Sequence, residues 1–206
     1  MEVLTTQLNS SSWYQMFELS EDIVNYYWDR ISESKIDTRH RASACVGKVL
    51  EVDDIDNVFI EKIFTPIFLT CNEQYLHIIE RTVKKIYDGN EPVELNPYMR
   101  SLQVNYQYKG EYNPIHWHTG LFSFVIWMKI PYDVEKERSL YPNATSSQAS
   151  FGFVYNDDMG IGLEHINPKE NYCCIFPAHL SHFVYPFYTS DEERISITGN
   201  IGVKIN

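Results

Sequence analysis

The sequence predicts an all-β core with helices on its N-terminal side. Two observations lead there. From Asn90 onward, strand-like runs alternate with short turns, at about 98–108, 113–118, 121–130, 150–155, 172–176, 182–187 and 194–204, which is the spacing of an all-β sandwich or barrel. Before Asn90, apolar residues recur at helical spacing instead. Hydrophobic residues at 44% and aromatic residues at 15% are ample for a core, and the many tyrosines and phenylalanines favour strands. A length of 206 residues suits one domain, 1–206, with 1–92 as mainly helical support and 93–206 as the β core.

Taken in order, residues 1–18 read as an irregular or short-strand entry. Ser20 opens a helix, SEDIVNYYWDRI: it can cap, Glu21 and Asp22 suit a first turn, and Ile23, Tyr26, Tyr27 and Ile31 make an apolar face. Residues 35–55 are polar around a short apolar piece, Ala44–Val52, left unassigned. A longer helical region runs from about Val58 to Tyr87, with Pro66 expected to break or kink it and Asp88-Gly89-Asn90 closing it as a turn. Within the β half, residues 133–149 form the longest gap between strands and read as a lid or a surface loop.

The net charge of −11 and pI near 5.0 argue against a nucleic-acid partner, which needs a basic face. The N-terminus lacks a basic region followed by an apolar run, and no stretch reaches membrane-span length, so a cytoplasmic protein without a membrane partner is expected. Cys45, Cys71, Cys173 and Cys174 show no zinc-site spacing and read as reduced core thiols. Nothing in the sequence decides oligomeric state; a homo-oligomer is compatible with it.

Chemistry concentrates in YNPIHWHTGLFSFVIWMKIP. Residues i and i+2 of a strand share a face, so His116 and His118 can grip one metal ion. Alone, such a pair is more often packed or exposed than ligating. Here Pro114 and Gly120 hold the backbone on both sides, His182 in FPAHLSHFVYPF offers a third imidazole, and Arg194 follows in ERISITGN. On that last strand Arg194, Ser196, Thr198 and Asn200 share one face, and Ile195, Ile197 and Ile201 can pack outside the barrel. A guanidinium facing the histidines would receive a carboxylate bidentately. His179 competes with His182 for the third position; His165 reads as lying in a loop, and His40 and His77 as solvated or structural. Imidazoles alone do not choose among Fe, Zn, Cu and Ni. The arginine points to iron with a 2-oxo acid co-substrate as electron source.

These residues resemble the 2-oxoglutarate- and Fe(II)-dependent oxygenase superfamily, most of all its small prolyl-hydroxylase-like members from phages and bacteria. The resemblance covers about 98–204 and rests on His116-Trp117-His118, Ser123 to Trp127, Phe176-Pro177 to His182, and Arg194-Ile195-Ser196. It implies a double-stranded β-helix, the jelly-roll or cupin-like barrel. It implies His116 and His182 as Fe(II) ligands, Arg194 on the distal carboxylate of 2-oxoglutarate, and Ser196 as a helper hydroxyl. His118 stands where most of the superfamily has Asp or Glu; either it is the third ligand, as in some small members, or Asp157, Asp158 or Glu164 supplies the oxygen. The implied reaction consumes O2 and 2-oxoglutarate, releases succinate and CO2, and hydroxylates a C–H bond of a small-molecule or peptide substrate that the sequence does not identify. A second reading is a cupin-type three-histidine metal protein that does not use 2-oxoglutarate. Gly110, His116, His118, Pro177 and His182 fit parts of its motifs, but its glutamate is missing and Arg194 has no place in it. A third is a β-sandwich interaction module with no working metal site.

Overall fold

The structure, a computed structural model, describes residues 3–36, 47–70, 95–140 and 148–205. Its strands are β1 (Val3–Gln7), β2 (Trp13–Glu18), β3 (Lys35–Ile36), β4 (Lys48–Glu51), β5 (Leu95–Gln107), β6 (Asn113–His116), β7 (Phe122–Lys129), β8 (Phe151–Asp157), β9 (Gly160–Ile166), β10 (Tyr172–Pro177), β11 (Ser181–Val184) and β12 (Arg194–Ile205). They make an eight-stranded sheet, ordered β1-β2-β10-β7-β12-β5-β4-β3, and a four-stranded sheet, ordered β6-β11-β8-β9. Every pairing is antiparallel, and the two sheets face each other as a jelly-roll, the expected fold.

Alternation sorts each strand of the large sheet into two layers. In β7, Phe122, Phe124, Ile126 and Met128 face outward, while Val125 and Trp127 enter the core between the sheets. Ile195, Ile197 and Ile201 of β12 join the outer layer, as their spacing implied. Left alone, that outer face would expose a broad apolar surface, so helices cover it. Helix α1 (Glu21–Ser32) lays Ile23, Tyr27 and Ile31 onto it. A π-helical turn (Phe59–Phe64) runs into α2 (Thr65–Thr70) and buries Phe59, Ile60, Ile63 and Phe64 there. The Phe59 ring stacks on Phe124 with centroids 3.6 Å apart. The inner core joins Tyr14, Trp127, Cys174 and Phe176 to Phe151, Phe153 and Ile166 of the small sheet. Cys173 and Cys174 are buried free thiols on opposite faces of β10.

Several details differ from the sequence expectations. The N-terminal segment supplies β1 to β4 as well as helices; Trp13 to Phe17 bury residues on both faces of the sheet, a pattern that hides period-two alternation. Pro66, expected to break or kink the helical region, stands where that region changes register without ending. It follows the change from π to α register, where the Thr65 amide donates to the Ile60 carbonyl, and a residue without an N–H is tolerated at the start of the new register. Residues 71–87 of the expected helix lie outside the described residues, as do His40, His77, Cys45 and Cys71. The 133–149 gap contains a short helix, α3 (Val134–Ser139), whose cap Asp133 accepts from the Lys136 amide at 2.8 Å. The segment around His165, expected as a loop, is β9. Its alternating glycines mask the pattern, with Ile161 and Leu163 exposed and Ile166 buried.

Gly120 joins the histidine segment to β7 with φ +137, and a Cβ there would stand 2.9 Å from the Ile201 carbonyl oxygen. Gly120→Ala is therefore expected to destabilise the protein by about 1–3 kcal/mol, read as a lower urea midpoint than wild type; an unchanged midpoint would show that this turn is free to relax.

Candidate active site between the sheets

A cavity of about 380 Å³ lies between the sheets, lined by β4, β5, β7 and β12 on one wall and by β6, β8 and β11 on the other. Its polar wall is a ladder of directly paired residues: Arg194 opposite Gln107, Ser196 opposite Asn105, Thr198 opposite Gln103, and Asn200 opposite Ser101. Asn105 Nδ2 donates to Thr198 Oγ1 at 2.9 Å, Asn200 Nδ2 to Ser101 Oγ at 2.9 Å, and Ser123 Oγ to Asn200 Oδ1 at 2.6 Å. The β12 half of this ladder was legible from alternation. The β5 half was missed, although Ser101, Gln103, Asn105 and Gln107 alternate as strictly with Leu102, Val104 and Tyr106.

The structure brings His116, His118 and His182 together, one ring nitrogen from each lying within 4.8 Å of the others. His116 at the end of β6 pairs with His182 in β11, which fixes two imidazoles side by side, centroids 4.2 Å apart. His118 is not in the same strand as His116, contrary to the i, i+2 expectation. β6 ends at His116, and the His118 amide instead donates to the Ala178 carbonyl at 2.9 Å, which turns its ring toward the pair. His179 is exposed in the turn between β10 and β11, and His165 sits on the outer side of β9, stacked with Tyr185. Glu164 accepts from Tyr14 Oη at 3.0 Å, and Asp157 and Asp158 are exposed near the β8–β9 turn. No carboxylate lines the cavity among the described residues.

Second contacts set the imidazole tautomers. Nδ1 of His116 lies 2.7 Å from the Pro114 carbonyl oxygen and Nδ1 of His182 lies 2.9 Å from that of Leu180. Each Nδ1 therefore carries the proton, and each Nε2 keeps its lone pair. Burial holds His116 below the usual imidazole range and His182 well below it, and desolvation with the neighbouring His116 lowers His118 to about 4. All three are neutral at neutral pH, the form that coordinates metal.

Arg194 is buried at 3% exposure, and all its hydrogen bonds end on neutral oxygens. Nε and Nη2 both donate to Gln107 Oε1, Nη1 donates to Tyr132 Oη at 2.7 Å and to the Ala149 carbonyl at 2.8 Å, and Nη2 reaches the Tyr185 carbonyl at 3.3 Å. The Tyr132 and Phe187 rings flank it, centroids 5.8 and 5.9 Å from Cζ. Burial raises the Tyr132 phenol above its usual value, so it stays protonated and donates to the Ala149 carbonyl at 2.9 Å. Ala149 itself holds φ 60 while buried, a strained conformation that aims its carbonyl at both groups. Ser196 lines the same cavity one inner-face position along.

A jelly-roll with an imidazole cluster and a buried guanidinium in one cavity defines a class of metal-site proteins, and comparison with known proteins narrows it. Residues 101–200 match the family described as "Putative 2OG-Fe(II) oxygenase". The fold resembles that of an oxidoreductase of the 2OG-Fe(II) oxygenase family from Burkholderia pseudomallei, at 11% identity and TM-score 0.52, over 97% of this chain and 84% of that one. It also resembles a prolyl-4-hydroxylase from Pseudomonas putida, at 12% identity and TM-score 0.52, over 90% of each chain. At these identities the likeness is one of fold. No curated protein sequence matches the chain. The β half of the chain thus carries the signature of the 2-oxoglutarate- and Fe(II)-dependent oxygenases, a family of enzymes. Among the described residues, no helix is long and apolar enough to cross a membrane.

Glu137 was not anticipated from sequence. It is fully buried on α3 and accepts from the Tyr188 amide at 2.9 Å and from the Thr189 amide and hydroxyl at 2.6 and 2.5 Å. These bonds pin the turn that carries Tyr185 and Phe187 past Arg194. The capping signal at Asp133 could have located the helix, but not the inward direction of one glutamate among exposed neighbours. Glu137→Ala removes the carboxylate that the Tyr188 and Thr189 amides share and is expected to cost about 1–3 kcal/mol, measured by urea unfolding; an unaltered transition would show that the turn holds without it.

Proposed function

We propose that the protein is a 2-oxoglutarate-dependent Fe(II) hydroxylase in which His116, His118 and His182 hold the iron, Arg194 receives the distal carboxylate of 2-oxoglutarate, and Ser196 assists with its hydroxyl. The observation that carries this reading is one cavity lined both by three neutral imidazoles and by a buried guanidinium that has only neutral partners. The donor set suits Fe(II). Two of the rings have Nδ1 committed to backbone carbonyls, which orients Nε2 as metal-ligating histidines require. When bound, iron supplies the redox chemistry by which O2 and 2-oxoglutarate become succinate and CO2 while a substrate C–H becomes C–OH. The chain's own part is to position and to exclude water. Phe176 and Phe151, with ring centroids 4.9 and 5.7 Å from His182, keep solvent from that side of the cluster. Arg194 fixes one end of the co-substrate, and the strand pairing fixes Arg194. The substrate is a small molecule or a peptide segment admitted to the remaining cavity.

The cupin alternative is not favoured, because it gives Arg194 and its cage no role. We also read the chain as one domain, since β1, β2 and β4 belong to the same sheet as β12.

Anaerobic titration with Fe(II) and then 2-oxoglutarate, following the visible charge-transfer band of the chelate, tests these assignments. His116→Ala or His182→Ala is expected to abolish stoichiometric iron binding; iron retained by either removes that residue from the ligand set. Arg194→Ala is expected to weaken 2-oxoglutarate binding by about 2–5 kcal/mol, and an unchanged affinity would take Arg194 out of the role. His118→Asp is expected to keep stoichiometric iron, because a carboxylate can replace the imidazole; loss of iron there would overturn His118 as an exchangeable ligand.

A further inference from the structure

Resting on the assignment of Arg194 as carboxylate receptor, we infer that the Gln107 side chain is a built-in placeholder for the co-substrate carboxylate, occupying the Nε/Nη2 edge of Arg194 until 2-oxoglutarate displaces it. Nε and Nη2 of Arg194 both donate to the single oxygen Oε1 of Gln107, at 3.0 Å from Nε. That edge of a guanidinium is one that a carboxylate takes bidentately. The amide oxygen is a neutral stand-in for it.

A guanidinium has five N–H donors, and here all of them are engaged, so an arriving carboxylate must displace an acceptor. Three of the acceptors are poorly placed to leave. The Ala149 and Tyr185 carbonyls belong to backbone fixed by its own pairing, with the Ala149 amide donating to Pro186 and the Tyr185 amide to Ser150. The Tyr132 hydroxyl is tied to the Ala149 carbonyl. Gln107 is the acceptor that can rotate away. It lines the cavity, it stands directly opposite Arg194 in the β5–β12 register, and its carboxamide turns about side-chain bonds alone. Its Nε2 donates to the Glu111 carbonyl at 2.6 Å and more weakly to the Tyr185 carbonyl at 3.4 Å, bonds that aim Oε1 at the guanidinium and that its rotation would exchange for others. In that pose it keeps the buried cation hydrogen-bonded, and a neutral acceptor satisfies the donors without neutralising the charge that attracts a dianion. A carboxylate at the same position would do both and would close the site.

Two substitutions at Gln107 and one at Arg194, each loaded with Fe(II) anaerobically and titrated with 2-oxoglutarate, separate the possibilities. Gln107→Glu places a permanent carboxylate on the guanidinium edge and is expected to weaken 2-oxoglutarate binding at least tenfold. Gln107→Leu removes the competitor and is expected to bind 2-oxoglutarate several-fold more tightly. Its ligand-free form should melt lower than wild type, because Arg194 loses an acceptor, and its thermal upshift on adding 2-oxoglutarate should be larger. If Gln107→Leu does not fold, Gln107→Glu decides alone: wild-type affinity in that variant overturns the placeholder. Weaker binding by Gln107→Leu overturns it in favour of Gln107 as a supporting contact, and unchanged binding shows that the carboxylate uses another edge. Arg194→Ala tells apart the two levels of failure. If it binds 2-oxoglutarate like wild type, the receptor assignment falls; if it loses binding while the Gln107 variants behave as wild type, only the placeholder falls.

Discussion

The pairing of β12 with β5 holds the site together. It runs the full length of β12, from Arg194 opposite Gln107 to Ile205 opposite Leu95, with one irregularity after Asn200. Because side chains alternate along both strands, one register decides at once which residues reach the cavity and which reach the helices. A slip by one residue would send Arg194 into the outer apolar layer and bring Ile195 and Ile197 inside. The slip is resisted from both sides. Ile195, Ile197, Leu102 and Val104 are buried under α1 and the Phe59–Phe64 turn, while the paired amides and hydroxyls satisfy one another on the inner face.

A buried cation without a counter-ion is costly, and proteins seldom keep one without a role. Arg194 is held by four elements from distant parts of the sequence: Gln107 on β5, Tyr132 after β7, Ala149 before β8 and Tyr185 after β11. The strain at Ala149 and the buried carboxylate of Glu137 both serve this arrangement, one by aiming a carbonyl and the other by pinning the turn beside it. The fold thus fixes the guanidinium in place on its own, and in the proposed role the adjustment left for an arriving anion would be the turn of Gln107.

The sequence made some of this legible and hid the rest for identifiable reasons. His116, His182 and Arg194 were readable because each sits on a strand whose alternation is local information. The convergence of His118 was anticipated, but by the wrong means, since a bond to Ala178 rather than strand geometry turns it inward. β9 was lost because Gly160 and Gly162 interrupt its pattern. β2 fell within a segment read only as an irregular or short-strand entry, because Trp13 to Phe17 are covered on both faces. Glu137 and Tyr132 could not be found at all: the one meets the segment between β11 and β12 and the other meets β12, each more than fifty residues away, and such long-range contacts leave no periodic trace.

Electrostatics ties the unusual histidine to the rest. The chain carries a net charge of −11, yet no acidic side chain lines the cavity among the described residues, and Arg194 is its only formally charged lining group. Three neutral imidazoles would leave the charge of a divalent ion held between them undiminished. A cation of that kind and a guanidinium in one cavity would repel each other, and no carboxylate among the described lining residues offsets it. Under the proposed assignment a dianionic co-substrate in the same cavity would compensate both, so neutralisation would fall to the co-substrate rather than to the protein. Metal and co-substrate should then depend on each other more strongly than in a site with a carboxylate ligand, and the neutral amide of Gln107 is the partner that leaves this attraction intact.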